Sequence, residues 1–433
     1  MSKPDVGGAV GGAEPRGMKI ALMGPFGFGN LGDAAIQDAV IQNIRRLSSG
    51  ARIYGISQNP ADTEQRHGIP AFPLNRMPKV GAEWDSRPRE DIFGWLSARL
   101  LRTRLGRIVE RVAIRMPLEL FYILRSFKNL LGFDLLVVSG GGQLDDYWGG
   151  AWAHPYTLAK WGTLARIVGA RFVFMSVGAG PIDSPVSRRF IRYALSRAEY
   201  RSFRDERSRA LIESIGFRHA DTVCPDLAYS LLTDAGIPRK RTGAEMLVGV
   251  GPMPYLHPEL WPESDRHVYD GYLRKLASFV RRRAEEGYRI VLFPGEVGSD
   301  RVATADLLEI LAEQGIKESD GRITRPEVHT VPELMRELAL TDIVVASRFH
   351  GVLLAHVAFT PVIALSYHMK IDALMDDMGH GRYCLDIKTF DPGVLEERFA
   401  SLRAELPAAR ECIVRKVAEY RGVLDRQYKH VFT

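Results

Sequence analysis

The chain of 433 residues has only three cysteines, Cys224, Cys384 and Cys412, odd in number, far apart and without a CxxC spacing. That scarcity excludes a disulfide framework and a cysteine zinc site, and it favours a reducing compartment, the cytoplasm. Long uncharged apolar runs are lacking too. The most apolar stretch, 118–138, is interrupted by Glu119, Arg125, Lys128 and Asp134, each costly at the centre of a bilayer, so no transmembrane helix is predicted. Residues 1–17 hold Gly, Ala, Pro and charge with no apolar core of the kind a secretory signal needs, and they read as a disordered leader. No HExxH pair or other metal-ligand spacing is present, so no metal is expected. Charge of one sign is also modest: a net +6 with 25% charged residues of both signs does not call for a nucleic-acid partner. It suits a small anionic substrate or an anionic membrane surface.

What is there is a large apolar fraction, 46%, in a chain too long for one ordinary domain. Short apolar runs of strand type alternate with helical periodicity. Strands are predicted at 18–23, 51–57, 134–139, 171–177, 200–203 and 221–224, then at 246–250, 289–293, 342–346 and 361–365, with helices between most of them. The stretch 59–88 has several prolines and little periodicity and reads as a loop. This pattern predicts an α/β protein of two doubly wound Rossmann-like domains facing a cleft, 18–235 and 244–391, joined through a connection near 233–243 rich in Gly, Pro and basic residues. A last helical stretch within 392–433 is placed to pack back across the first domain.

In such sheets ligands bind beyond the carboxyl ends of the strands, and that is where the polar residues collect. Ser347-Arg348-Phe349-His350-Gly351 follows one strand, and Ser366-Tyr367-His368-Met369-Lys370 follows the next. The intervening 352–359 is apolar and of helical length, which makes a βαβ unit with both strands delivering cationic and imidazole groups to one edge. Arg348, His350, His368 and Lys370 gathered there suit a substrate with several negative charges. Arg204 sits in the same setting in the first domain, with an ion pair to Asp226 as its structural alternative. Glycines mark the other strand ends. Gly27, Gly29 and Gly32 form a GxGxxG between strand and helix, but the second strand ends Gly55-Ile56-Ser57-Gln58 without the carboxylate a nicotinamide ribose requires. Asn30 and the small residues around it leave room for a ligand, and Asp33 reads either as helix cap or as base. Gly140, Gly141 and Gly142 in a row are costly unless the chain turns tightly or lies against a ligand.

These pieces, in order, resemble the polysaccharide pyruvyl transferase family. The matching residues are Gly29-Asn30-Leu31-Gly32-Asp33, Ser139-Gly140-Gly141-Gly142, Ser202-Phe203-Arg204-Asp205 with Pro225-Asp226, and Ser347-Arg348-Phe349-His350-Gly351 with a downstream lysine, spanning about 18–387. The resemblance implies a fold similar to two-domain GT-B glycosyltransferases. It implies transfer of the enolpyruvyl carbon of phosphoenolpyruvate onto two hydroxyls of a sugar, with release of phosphate and formation of a cyclic pyruvate ketal. The second domain would be the phosphoenolpyruvate side and the first the acceptor side. Arg204, Arg348 and His350 would fall on phosphoenolpyruvate-binding or catalytic positions, joined by Lys370 and Asp33. The chemistry of the residues agrees: arginines and a lysine, with His368, hold a carboxylate and a phosphate, His350 protonates the methylene carbon, and Asp33 receives a hydroxyl proton. Phosphoenolpyruvate is then a donor substrate, and no cofactor or metal is needed.

Two other readings share these residues: a nucleotide-sugar glycosyltransferase of the same architecture, and a non-catalytic protein that binds anions or a membrane. Segment 92–131, outside the matching pieces, carries Arg99, Arg102, Arg104, Arg107, Arg111 and Arg115 against Glu110 and Glu119, interleaved with Trp95, Leu96, Leu100 and Ile108. It suits a helix lying at an anionic membrane surface, where a lipid-linked acceptor on the inner leaflet would give it a purpose. It equally suits a solvated amphipathic helix packed on the first domain.

Overall fold

The structure is a computed structural model, and it describes residues 17–76, 116–147, 149–219, 221–232, 245–261 and 263–433. The leader up to residue 16, segment 92–115 and the connection 233–243 therefore lie outside the described residues.

The first half builds strands β1 (Lys19–Met23), β2 (Arg52–Ser57), β3 (Ala71–Pro73), β4 (Leu135–Ser139), β5 (Gly142–Leu144), β6 (Arg171–Ala179), β7 (Tyr200–Phe203) and β8 (Thr222–Val223). Between them run helices α1 (Leu31–Leu47), α2 (Pro60–His67), α3 (Met116–Leu130), α4 (His154–Val168), α5 (Pro185–Arg197) and α6 (Glu206–Ser214). The second half builds β9 (Leu247–Gly251), β10 (Arg289–Leu292), β11 (Ile323–Thr324), β12 (Ile343–Ala346), β13 (Val362–Ser366) and β14 (Cys384–Asp386). Its helices are α7 (Arg266–Glu285), α8 (Ser299–Glu313), α9 (Val331–Leu340), α10 (Phe349–Val357) and α11 (Met369–Asp377), followed by α12 (Pro392–Ala404) and α13 (Leu406–Phe432).

One sheet runs in the order β3-β2-β1-β4-β6-β7-β8, with β5 beside β6, and the other in the order β11-β10-β9-β12-β13-β14. Neighbouring strands within these sheets pair in parallel. Each order reverses once, between β1 and β4 and between β9 and β12, so two crevices open at the carboxyl ends of adjacent strands.

Period-two alternation explains how the first sheet is buried on both faces. Ile20 and Leu22 of β1, Leu135 and Val137 of β4, and Val173 and Met175 of β6 face one apolar core, which continues through α1 into the second half. Ala21, Met23, Leu136, Val138, Phe172 and Phe174 face a separate core beneath α4 and α5. In the second half α10 is apolar all round, with Val352, Leu353, Leu354, Ala355 and Val357 buried, so it runs through the interior with only its first turn at the crevice.

The segment read as loop contains α2 and β3. Nothing in α2 has an apolar face, yet the Asn59 side chain accepts from Asp62 N, Pro60 occupies the first turn, and Gly68 closes the helix at φ 63°. Capping chemistry alone marks this helix. The final helical stretch is two helices that part at Glu405, with Pro407 in the first turn of α13.

Candidate active site

The glycine-rich loop after β1 is joined to the second half of the molecule by backbone hydrogen bonds. Val297 N donates to the Gly29 carbonyl at 2.9 Å and Leu31 N to the Gly295 carbonyl at 3.1 Å. Gly29 lies at φ +74°, left-handed backbone that glycine adopts without strain. At the start of α1 the Asn30 side chain accepts from Gly32 N at 2.9 Å and Asp33 N at 3.3 Å. The cap is thus Asn30, not Asp33, and the helix opens at Leu31. The first-turn N–H groups of α1 are taken by protein acceptors, which removes the pyrophosphate cradle a dinucleotide needs.

Released from capping, the Asp33 carboxyl has no hydrogen bond or ion pair among the described residues. Burial pushes its pKa up, and neighbouring Glu296 and Asp226 push the same way, while His350 and Lys370 oppose them. Gly32 is required by what stands next to it: a Cβ there would lie 2.1 Å from the His350 ring. The glycine of the first domain therefore admits the histidine of the second.

His350 occupies the first turn of α10, whose N-cap, Arg348, provides no side-chain acceptor to that turn. Its Nε2 lies 3.8 Å from the Oδ2 of Asp226, too long for a hydrogen bond, and has no closer partner. Asp226 is buried, and its Oδ1 accepts from Ala228 N at 3.0 Å. Burial alone would raise the Asp226 pKa, but His350, Arg204 and the backbone bond outweigh it, and the carboxyl ends below its ordinary value. Arg204 Nη1 stands 3.4 Å from the same Oδ2, so the ion pair considered for this arginine forms. Its guanidinium also lies over the Phe349 ring, 4.5 Å from the centroid, and a Cβ at Gly178 would meet its Nη2 at 2.7 Å. One buried carboxylate thus aligns an arginine from the first domain with a histidine from the second.

Arg348 has a different setting. Its Nε and Nη2 donate to Asp300 Oδ1 at 3.0 and 2.6 Å, and Nη2 also reaches Ser299 at 2.9 Å and Glu296 at 2.8 Å. Burial works against the charge, but Asp300 and Glu296 more than offset it and raise the pKa further. Asp300 in turn accepts from Gly295 N and Glu296 N at 2.9 Å each. Arg348 therefore holds the loop that is joined to Gly29 and Leu31, and it brings two carboxylates of its own to the site.

The cations less fully neutralised are on the other side. Lys370 forms no ion pair within 4.0 Å among the described residues, and its Nζ lies 5.7 Å from the Phe349 centroid and 5.8 Å from that of Tyr367. His368 caps α11 by accepting from Lys370 N at 3.2 Å. Its pKa is lowered by burial, then by Lys370, Arg207 and Arg204, which places four basic groups within electrostatic reach of one another. A cavity of about 410 Å³ adjoins them, lined by Ser366, Tyr367, His368, Met369, Asp372 and Asp386. Facing Lys370 from the first domain is Asp145, which burial pushes up to about 6.

Asp33, Arg204, Arg348, His350, His368 and Lys370 are thus brought to one seam; Gly29, Asn30 and Gly32 meet the second half there, Gly141 and Gly142 stand next to Asp33 and Asp145, and Gly140 packs inward against Ile36 and Leu227. Gly140 and Gly141 have φ of +58° and +70°, left-handed backbone that accounts for one of the two reasons considered for their run, a tight turn. Three participants were not anticipated. Arg207 reads in sequence as an ordinary helix charge. Glu296 and Asp300 become visible only when the loop after β10 meets Arg348. Among the described residues no group of three His, Cys, Asp or Glu is placed to hold a metal ion.

Two parallel doubly wound domains with polar groups at their facing strand ends define a protein of GT-B type. Similar solved structures include a UDP-GlcNAc 2-epimerase from Neisseria meningitidis bound to UDP-GlcNAc, 10% identical, covering 95% of this chain and 99% of that one at a TM-score of 0.56. A putative UDP-N-acetylglucosamine 2-epimerase from Listeria monocytogenes is 10% identical over 92% and 90% of the two chains, TM-score 0.54. A glycosyltransferase from Rickettsia africae is 11% identical over 96% and 98%, TM-score 0.51. At these identities the likeness is one of fold alone. The family is shown by sequence: the profile of polysaccharide pyruvyl transferase matches residues 30–369, and the chain belongs to that family.

Proposed function

We propose that this protein transfers the enolpyruvyl group of phosphoenolpyruvate onto two hydroxyls of a sugar, in a polysaccharide or its lipid-linked precursor, forming a pyruvate ketal and releasing phosphate. The observation that carries this reading is the first turn of α10, where His350 stands between the Asp226 and Arg204 pair and the unpaired carboxyl of Asp33. Phosphoenolpyruvate brings a phosphate and a carboxylate. The first turn of α10, Arg204, Lys370 and His368 are suited to hold them, with Arg348 supporting the wall through Asp300. His350 gives a proton to the methylene carbon, and positive charge develops on the carbon that bears oxygen. Asp33 accepts the proton of the attacking hydroxyl. These cations neutralise the phosphate, so neither a metal nor a cofactor enters the reading, and chelator is expected to leave turnover unchanged.

The test is phosphate release from phosphoenolpyruvate across a panel of hexosides and lipid-linked glycans, with the product examined by NMR for a ketal methyl signal. Hydrolysis of a sugar nucleotide without dependence on phosphoenolpyruvate would favour the glycosyltransferase reading instead.

A lipid-linked acceptor would place the reaction in the cytoplasm at the inner face of the membrane. No helix of the described residues is long and apolar enough to cross a membrane. The outer side of α3, however, exposes Leu120, Phe121 and Leu124 beside Arg125 and Lys128, a composition suited to peripheral contact with anionic lipid.

A further inference from the structure

Ketal formation poses a proton problem that a single base does not solve. The first hydroxyl oxygen bonds to the central carbon of phosphoenolpyruvate while the methylene carbon takes a proton and becomes a methyl group. The bond from that carbon to the phosphate oxygen then breaks, with its electron pair leaving on phosphate, and the second hydroxyl oxygen bonds to the same carbon. Two hydroxyl protons are lost; one balances the methyl group and the other departs as hydrogen phosphate. Asp33 serves one hydroxyl in the reading above.

A second carboxylate stands on the same wall. The Asp33 Oδ1 lies 3.9 Å from where a Cβ on Gly141 would be, and the Asp145 Oδ2 lies 3.8 Å from where a Cβ on the next residue, Gly142, would be. The two acids thus flank consecutive glycines of one turn, and Lys370 acts on both across the seam. Space around Asp145 is made by glycine: a Cβ at Gly180 would lie 2.9 Å from the Asp145 Cβ. The Oδ1 of Asp145 accepts from Tyr147 N at 3.3 Å, and no described residue bonds to its Oδ2. Its neighbour Asp146 differs: both of its oxygens accept backbone N–H groups, from Asp183 at 3.2 Å and Ser184 at 2.9 Å, at the start of α5. One member of the Asp145-Asp146 pair fastens a loop, and the other leaves an oxygen unpaired.

We infer that Asp145 is the second base of the reaction, accepting the proton of the hydroxyl that closes the ketal ring, while Asp33 serves the hydroxyl that attacks first. This rests on the ketal-forming reading of the site. Lys370, whose charge acts on both acids, is suited to pass the later proton to the departing phosphate.

The experiment is product analysis of Asp145→Asn with phosphoenolpyruvate and a panel of p-nitrophenyl hexosides, beside the parent and Asp33→Asn. Without the second base, the singly attached cation loses a methyl proton instead of being captured, giving an enolpyruvyl ether that has the mass of the ketal but shows vinylidene protons by NMR. Phosphate release with this ether, and ketal reduced at least a hundredfold, is the expected result. Asp33→Asn is expected to release neither phosphate nor ether. Parental ketal formation by Asp145→Asn, or loss of phosphate release by a variant that melts like the parent, would overturn the assignment to Asp145 and leave the ketal-forming reading standing. A parent that releases no phosphate from phosphoenolpyruvate with any acceptor overturns that reading itself, and this inference with it. Asp145→Ser is carried alongside, so that a folding failure of the asparagine variant does not remove the test.

Discussion

A carboxyl group whose pKa rises on folding destabilises the native state once it ionises, and Asp33 is such a group, raised first by burial and then by Glu296 and Asp226. The folded chain holds this proton more tightly than the unfolded chain does. The penalty is therefore absent below the ordinary carboxylate range and grows as pH rises from there through the folded value. Asp33→Asn, which cannot ionise, is expected to melt higher than the parent at neutral pH, with the gain shrinking on acidification, and to turn over at least a hundredfold more slowly. Calorimetry with phosphate-release kinetics checks both, and a variant that loses stability would argue that the carboxylate serves the fold. Arg348 gives the opposite forecast. Truncating it strands Asp300, fully buried, without its guanidinium partner, so Arg348→Ala should lose roughly 3–5 kcal/mol in urea unfolding. Adding Asp300→Asn should restore much of that loss, because the stranded charge is gone. If the single variant kept parental stability but failed to bind phosphoenolpyruvate, ligand binding rather than loop support would be the main task of this arginine.

At the scale of elements, α3 is unusual in turning apolar residues both ways. Tyr122 and Leu130 pack inward, and the Tyr122 hydroxyl donates to the Pro73 carbonyl at 2.8 Å, while Phe121 is 67% exposed and Leu124 58%. If this outer side meets anionic lipid, Phe121→Glu with Leu124→Glu should abolish sedimentation with phosphatidylserine vesicles that the parent shows at low salt, and raised salt should weaken the parent. Equal binding by both, or by neither, would remove the membrane contact without touching the catalytic proposal. How much of this architecture could be read in the chain follows from what each element uses to form. β4, β12 and β13 are short runs buried at every position, legible as strands of a parallel sheet. α2 rests on Asn59 and Gly68, a signal that periodicity does not see. The break at Glu405 was hidden because proline in the first turn of a helix leaves the helical pattern intact on both sides. In the site, strand ends were enough to collect Arg204, His350 and Lys370. Asn30 as the cap of α1, and the Asp300 and Glu296 pairing of Arg348, depend on contacts between distant segments that no local pattern encodes.

The whole molecule has two sheets but does not divide into two independent bodies. One apolar core runs from Ile20 and Leu31 through Val248 and Val352 to Tyr428 and Phe432, crossing from the first half to the second. α13 fastens this arrangement. Toward the first domain Ser176 Oγ donates to Gln427 Oε1 at 3.2 Å, Tyr428 shares a hydrogen bond with Ser230 at 3.1 Å, and Arg421 Nε donates to the Tyr229 carbonyl at 3.0 Å. Toward the second, Tyr420 donates to Asp377 and Lys416 lies 3.8 Å from the same residue. Separating the halves would part α1 from α9 and α10 of the second half, which pack against it. Independent unfolding of either half would therefore forfeit core that the other supplies. The full chain should accordingly unfold in one calorimetric transition whose van't Hoff and calorimetric enthalpies agree, and a chain ending after Glu405 should give no cooperative transition. Two resolved transitions in the full chain would show that the halves hold themselves together separately. The seam carrying Asp33, Arg204 and His350 would then be a hinge that closes on substrate, rather than a site already assembled by a shared core.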